Sequence, residues 1–352
     1  MKSDMFDISP SAFCVEDNIV WGVHAKLNCL FSYDLSTESL EIYDLYPYAI
    51  IGRASQFIGI FKYEKNVYLV PCWGSKLISY NIEEKTVIVI EEGNNANGRF
   101  GKSFVLGGDL YCVPMYEDFF LIIDLKKGCV KRKIPWKHVI SKKIPIIIDS
   151  FVFNSKIVCL VKDYSDEVIL LDNNFNITRQ YIQNNDEFLT TGCSSKENMF
   201  LCNPKTGLIF RYDKNFFLQE SIKVKSFSHA ILNLINNTLI LDSVGDPEKS
   251  KYFIESKQEK IECSEVKKSP LSYDGMHGLW YCCNRWIYYF DRAKNELYAI
   301  NEKNIYKTFK IEIKKQIVSD IIKNNIFNED VMLENDIANL EFLIECVVGE
   351  NK

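Results

Sequence analysis

Apolar and polar positions alternate with a period of two in short runs along most of this chain, which is the pattern of half-buried β-strands. The runs recur. An apolar strand ending in an acidic or amide residue appears as LFSYD, LISYN, LIIDL, ILLDN, IFRYD, KYFIE and LYAIN. Its anchors are Asp34, Asn81, Asp124, Asp172, Asp213, Glu255 and Asn301, spaced 41 to 48 residues apart. Turn formers and a second alternating run follow most anchors, as in LSTESLEIYDLY and IEEKTVIVIEE, so each anchor predicts a hairpin.

A second column repeats with the same period. A polar residue followed by a short apolar strand occurs at Asn18, Asn66, Asp109, Lys156, Asn198, Asn237 and Asn284. Asn and Asp tolerate the positive φ of tight hairpins, so these positions are expected to be the turn residues themselves. A further apolar segment precedes each of them, such as QFIGIFKYE or SFVLGG. Four strands per unit, a period near 45 and seven units describe an all-β, seven-bladed β-propeller of four-stranded antiparallel blades. Six blades with a divergent hairpin is the alternative count, because DSVGDPEKSKYFIE dilutes the pattern in the sixth unit.

The Tyr-Asp-x-x-Thr turn at Tyr33-Asp34-Leu35-Ser36-Thr37, with echoes at Tyr80-Asn81 and Tyr212-Asp213, resembles the β-propeller superfamily, most closely kelch-like and quinoprotein-like bacterial repeats. The resemblance spans roughly residues 11 to 313 and implies an architecture rather than an activity. The kelch double glycine occurs once, at Gly107-Gly108, and the Gly-His and Trp-Asp signatures of WD repeats are missing. The domain reading is a propeller over 1–313 and a C-terminal helical extension over 314–352. In the extension, Leu333, Ile337, Leu340, Ile344 and Val347 step by 4 and 3 and share one helix face. Packing against a blade is one expectation for this face, and docking a partner or a second copy is the other.

Composition changes the picture only slightly. Of 352 residues, 47% are hydrophobic and 25% charged, as in a folded globular chain. The net charge of −5 gives no support for broad nucleic-acid or anionic-membrane binding. The start, MKSDMFDISPSAF, has no apolar run of a signal peptide, so the expected location is cytoplasmic, with the 12 cysteines reduced. No C-x-x-C occurs, and the vicinal pair Cys282–Cys283 is expected to alternate along a strand.

Candidate chemistry follows from the repeat. Loops joining the second strand to the third, and loops joining one blade to the next, share one end of every blade, and loops on a rigid scaffold commonly carry function. That end is expected to hold Arg53, Arg99, Lys102, His138, His229 and His277 on inter-blade loops, and His24, Trp73, Lys76, Tyr116, Asp163 and Asp166 after second strands. Arg53, Arg99, Lys102 and His138 suit a cationic rim for an anionic sugar, phosphate or acidic peptide. Trp73 and Tyr116 suit stacking or anchoring. His229 and His277 precede their hairpins by similar distances and would share a divalent metal or an acid–base role, as the resemblance to propeller lyases and lactonases implies. No carboxylate stands in the matching column of the inner strands, so a non-catalytic module binding a protein or a small polar ligand leads, without cofactor, and a metal-assisted lyase or lactonase is the alternative.

Overall fold

The computed structural model describes residues 5–45, 47–48, 56–93, 98–140, 145–162, 166–183, 187–235, 237–243, 248–263, 279–283, 286–291, 296–301 and 306–326. Chain order is simple. After β1 (Met5–Asp7), blade 1 comprises β2 (Pro10–Glu16), β3 (Ile19–His24), β4 (Leu30–Asp34) and β5 (Leu40–Tyr43). Blade 2 has β6 (Phe57–Tyr63), β7 (Asn66–Pro71), β8 (Lys76–Asn81) and β9 (Thr86–Glu92). Blade 3 has β10 (Phe100–Leu106), β11 (Asp109–Pro114), β12 (Phe119–Asp124) and β13 (Cys129–Pro135). Blade 4 has β14 (Ile147–Phe153), β15 (Lys156–Val161), β16 (Glu167–Leu171) and β17 (Ile177–Tyr181). Blade 5 has β18 (Thr191–Ser194), β19 (Asn198–Asn203), β20 (Leu208–Asp213) and β21 (Leu218–Lys223). Blade 6 has β22 (Ala230–Ile235), β23 (Thr238–Ser243), β24 (Glu248–Phe253) and β25 (Gln258–Cys263). Blade 7 has β26 (Leu279–Cys283), β27 (Trp286–Asp291), β28 (Glu296–Asn301) and β29 (Tyr306–Lys310), followed by β30 (Glu312–Lys314) and α1 (Lys315–Ile326).

Each blade is an antiparallel meander in sequence order, so the diluted sixth unit is a full four-stranded sheet. The chain divides into two compact units, residues 1–96 with 265–352, and residues 97–264. In the first unit, β1 pairs with β30, clasping the two ends of the strand-rich region. First strands of neighbouring blades lie against each other, β2 touching both β6 and β26. One apolar cluster joins Phe13, Val20 and Phe31 of blade 1 to Tyr288, Phe290 and Leu297 of blade 7, and α1 inserts Val318 and Ile321 into it. The helix is therefore part of the core of this unit. A second cluster joins Trp21 and Leu30 to Phe57, Leu69 and Ile78 of blade 2. The second unit repeats the device, with β14 between β10 and β18, and β22 beside β18. Its clusters are built around Phe120 and Trp136 with Ile157, Phe151 and Val168 with Leu201, and Phe200 with Leu232. Burying such side chains stabilises by roughly 1.5–3 kcal/mol each.

The recurrent anchors close the hairpins between third and fourth strands. Asp34 Oδ1 accepts the Ser36 and Thr37 N–H groups, and Asn81 Oδ1 those of Glu83 and Glu84. Asp172 and Asp213 each accept two backbone N–H groups in the same way, and Asp124 accepts that of Lys127. These are side-chain mimics of a backbone turn. In blade 6 the anchor differs: Glu255 accepts from the Asn237 side chain.

The second column needs correction. Asn18 and Asn237 do have positive φ, but Asn66, Asp109, Lys156 and Asn198 are the first residues of β7, β11, β15 and β19. Where those hairpins need a left-handed backbone, it falls one or two residues earlier, on Glu64, on Gly107 and Gly108, and on Asn154 and Ser155. Asn284 lies outside the described residues. Cys282 and Cys283 both lie in β26. Among the described residues no helix is long and apolar enough to cross a membrane.

Candidate functional site on the inner strands of blades 3 to 5

The first strand of each of blades 1 to 4 carries a register shift near its start, between Pro10 and Ala12, Phe57 and Gly59, Phe100 and Ser103, and Ile147 and Asp149. A bulge adds one residue to one side of a pair, bends the strand and re-aims the next side chains. In blade 4 it delivers Asp149, a carboxylate with 7% of its side chain exposed. Asp149 stands seven residues before Lys156, as His277 does before Asn284, so the expectation that no carboxylate stands in the matching column of the inner strands is corrected.

Asp149 has a full set of donors. Lys102 Nζ lies 2.6 Å from its Oδ1, which also accepts the Ser150 N–H at 2.8 Å. Its Oδ2 accepts Thr191 Oγ1 at 2.9 Å and the Gly192 N–H at 3.0 Å. Thr191 Oγ1 in turn accepts the Leu232 N–H at 3.0 Å. One buried carboxylate thus links the first strands of blades 3, 4 and 5, and Thr191 extends the link to blade 6. Gly192 permits the close approach, since a Cβ there would stand 2.5 Å from the Phe151 ring.

Lys102 lies within β10 and not on a loop, and 41% of its side chain is exposed. An ammonium carries three donors, and Asp149 takes one of them, holding Nζ in place on a side chain that is still part-exposed. At the same end of blade 3, Tyr116 is 42% exposed and its ring packs on Gly98. Arg99, expected on a cationic rim, is instead fully buried: its Nε donates to Glu117 Oε1 at 2.5 Å, and its guanidinium lies 5.0 Å from the Phe100 ring centre. Trp136 Nε1 fixes the same loop by donating to the Glu117 carbonyl at 2.9 Å. Lys137 pairs with Asp118 and donates to the Tyr116 carbonyl. His138 is exposed in the short turn Lys137–Val139, and His229 is exposed just before β22. Phe188, which the repeat did not single out, is exposed on the connection from blade 4 to blade 5.

In the first unit, Trp73 is 37% exposed after β7, and Lys76 pairs with Glu92 and lies over the Tyr48 ring. His24 is buried at the end of β3. Its Nδ1 accepts the Lys26 and Leu27 N–H groups, and burial, reinforced by the Lys26 charge, lowers its pKa to about 3. It is a neutral scaffold histidine. Burial likewise pushes the Cys29 and Cys72 thiols up to about 12, and those of Cys159, Cys193 and Cys202 up as well, so all remain unreactive thiols. Asp166 precedes β16, its carbonyl accepting the Ile182 N–H. Arg53, Asp163, His277 and the stripe Leu333, Ile337, Leu340, Ile344 and Val347 lie outside the described residues. Among the described residues, no three of His, Cys, Asp and Glu converge as metal ligands would.

Neither the family models nor the curated proteins contain a match to this chain. Solved structures do match in shape. Virginiamycin B lyase from Staphylococcus aureus aligns with a TM-score of 0.60 at 11% identity, covering 83% of this chain and 94% of its own. The WD40 domain of Neurospora crassa Pan2 aligns at 0.54 and 12% identity, covering 86% and 91% respectively. The WD40 propeller domain of Doa1 aligns at 0.55 and 10%, covering 87% and 93%. Likeness at such identity establishes the fold alone: the chain is a seven-bladed β-propeller.

Proposed function

We propose that this propeller is a non-catalytic binding module that holds a carboxylate-bearing ligand, such as an acidic segment of a protein partner, at the loop end of blades 3 to 5. The observation that carries this reading is Lys102. Its ammonium is oriented by a buried carboxylate whose remaining acceptor sites are filled from within the fold, and it is still part-exposed. A pre-oriented donor loses less entropy on binding than a free surface lysine. Tyr116 and Phe188 supply exposed aromatic surface at the same end of their blades. With a net charge of −5 the attraction is local rather than global.

Hexaglutamate peptide and glucuronate, titrated calorimetrically at low salt, test the reading. Binding should weaken about tenfold or more in Lys102→Met, the scale of one lost charge-assisted hydrogen bond. It should be unchanged in Lys127→Met, whose site is the turn at the opposite end of blade 3. Equal binding by both variants, or no binding of either probe to the wild type, would sink the proposal.

A further inference from the structure

The outer edges of the blades are not alike. Fourth strands end each sheet, and an edge strand is a template for pairing unless charge or a break protects it. Six of the seven carry a charged residue inside the strand: Glu41 in β5, Lys131 to Lys133 in β13, Arg179 in β17, Glu220 in β21, Glu259 and Lys260 in β25, and Lys307 in β29. The strand β9, Thr-Val-Ile-Val-Ile-Glu-Glu, has four consecutive β-branched apolar residues and charge only at its end. Ile88 is 55% exposed and Val89 36%. Among the described residues β9 pairs with β8 alone.

We propose that β9 is a self-pairing edge through which two copies of this chain form an antiparallel dimer, joining blade 2 to blade 2 in one continuous sheet. The pattern of β9 is complementary to itself. Opposed residues across a two-fold axis normal to the sheet must point to the same face. Placing Ile88 on the axis sets Val87 of each copy opposite Val89 of the other. Beyond Val89 the strand bulges, because Leu77 and Ile78 pair with Glu91 and Val89 and leave Ile90 unpaired. That extra residue keeps the faces in step and brings the turn residue Lys85, which precedes β9 with φ +54°, to the Glu92 end of the other copy's strand, within reach of its long side chain. Opposite charges directly across a strand pair stabilise it, and like charges there disfavour it. This interface is independent of the Lys102 site and of the C-terminal helix face.

Sedimentation of the full chain from about 1 to about 200 µM tests the proposal, since that range reports micromolar self-association. The wild type should sediment as a dimer at the upper end. Ile88→Lys places the charge that guards the other edges, and should weaken dimerisation about thirtyfold or more with melting unchanged. Lys85→Glu should weaken it about tenfold, through two repulsive pairs per dimer. Under mild oxidation Ile88→Cys should cross-link to its own copy across the axis, above the wild-type background from exposed Cys129, while Thr86→Cys should not. A wild type monomeric throughout, a dimer that survives Ile88→Lys, or cross-linking through Thr86→Cys instead would each overturn the proposal. Because no probe ligand enters the assay, failure here leaves the Lys102 reading standing.

Discussion

Replacing Asp149 by Ala should be the most damaging single change on the inner strands, and its size follows from what the carboxylate holds. The Ser150 and Gly192 N–H groups both donate to it in buried strands. Each orphaned donor costs about 1–3 kcal/mol. Thr191 Oγ1 loses its acceptor as well, although it still receives the Leu232 N–H. The ion pair with Lys102 adds little, because 41% of that side chain faces water and a part-exposed pair contributes about 0–1 kcal/mol. The total is about 2–7 kcal/mol. Lys102→Met should cost about 1 kcal/mol or less, since water replaces the ammonium at Oδ1 while three donors remain. Urea unfolding at neutral pH, followed by tryptophan fluorescence, reads both variants and the double mutant, which should resemble Asp149→Ala alone. The reasoning fails if Lys102→Met destabilises as much as Asp149→Ala. Charge attraction, and not donor saturation, would then hold the inner strands together.

Two further outcomes follow from the geometry. The pKa of His24 is lowered to about 3 in the fold from 6.5. Above pH 6.5 the side chain is neutral in both states; below it only the unfolded chain takes the proton, so stability falls by about 1.4 kcal/mol per pH unit until the folded value is reached. Lowering the pH from 7.5 to 5 should therefore cost about 2 kcal/mol through this residue. His24→Asn, whose carbonyl oxygen can still accept the Lys26 and Leu27 N–H groups, should reduce the loss by that amount; an unchanged gap in urea midpoints would refute the assignment. Gly207 has φ +66°, and a Cβ there would stand 2.2 Å from the Val224 carbonyl oxygen, a backbone atom unable to swing aside. Gly207→Ala should cost about 2 kcal/mol or more by calorimetry, and a loss under about 0.5 kcal/mol would contradict the close approach.

Much of the architecture is legible because hairpin chemistry is local. Asp34, Asn81, Asp124, Asp172 and Asp213 recur since each must cap N–H groups only two to four residues ahead, a demand met within the repeat itself. The second column slipped because a left-handed backbone does not require Asn or Asp. Glu64, Gly107 and Ser155 satisfy it too, so an amide opening the next strand, as at Asn66, mimics the turn signal. Arg99 was misplaced for a different reason. Its sequence neighbours, NNANGRFGK, look like a solvated loop, and Glu117, which buries it, comes from the following loop 18 residues later.

Asp149 was missed although its place in the repeat was legible. It stands seven residues before Lys156, as His277 stands seven before Asn284, and the bulge between Ile147 and Asp149 lies beyond it from the hairpin, so alternation counted back from the turn is unbroken. Its partners are distant, but not arbitrarily so. Thr191 is 42 residues away, Gly192 is 43, and Leu232 lies 41 beyond Thr191. Those separations fall within the 41 to 48 residues that space the hairpin anchors. The network is thus a column read once per blade: Lys102, Asp149 and Thr191 stand seven residues before Asp109, Lys156 and Asn198 respectively, and a search counted back from those positions would have found it. The positions that follow the equivalent bulges in blades 1 and 2 are Ala12 and Gly59, which offer no polar side chain. The repeat makes the same backbone in each of these blades; Lys102, Asp149 and Thr191 make blades 3 to 5 different, and that difference is where specificity can reside.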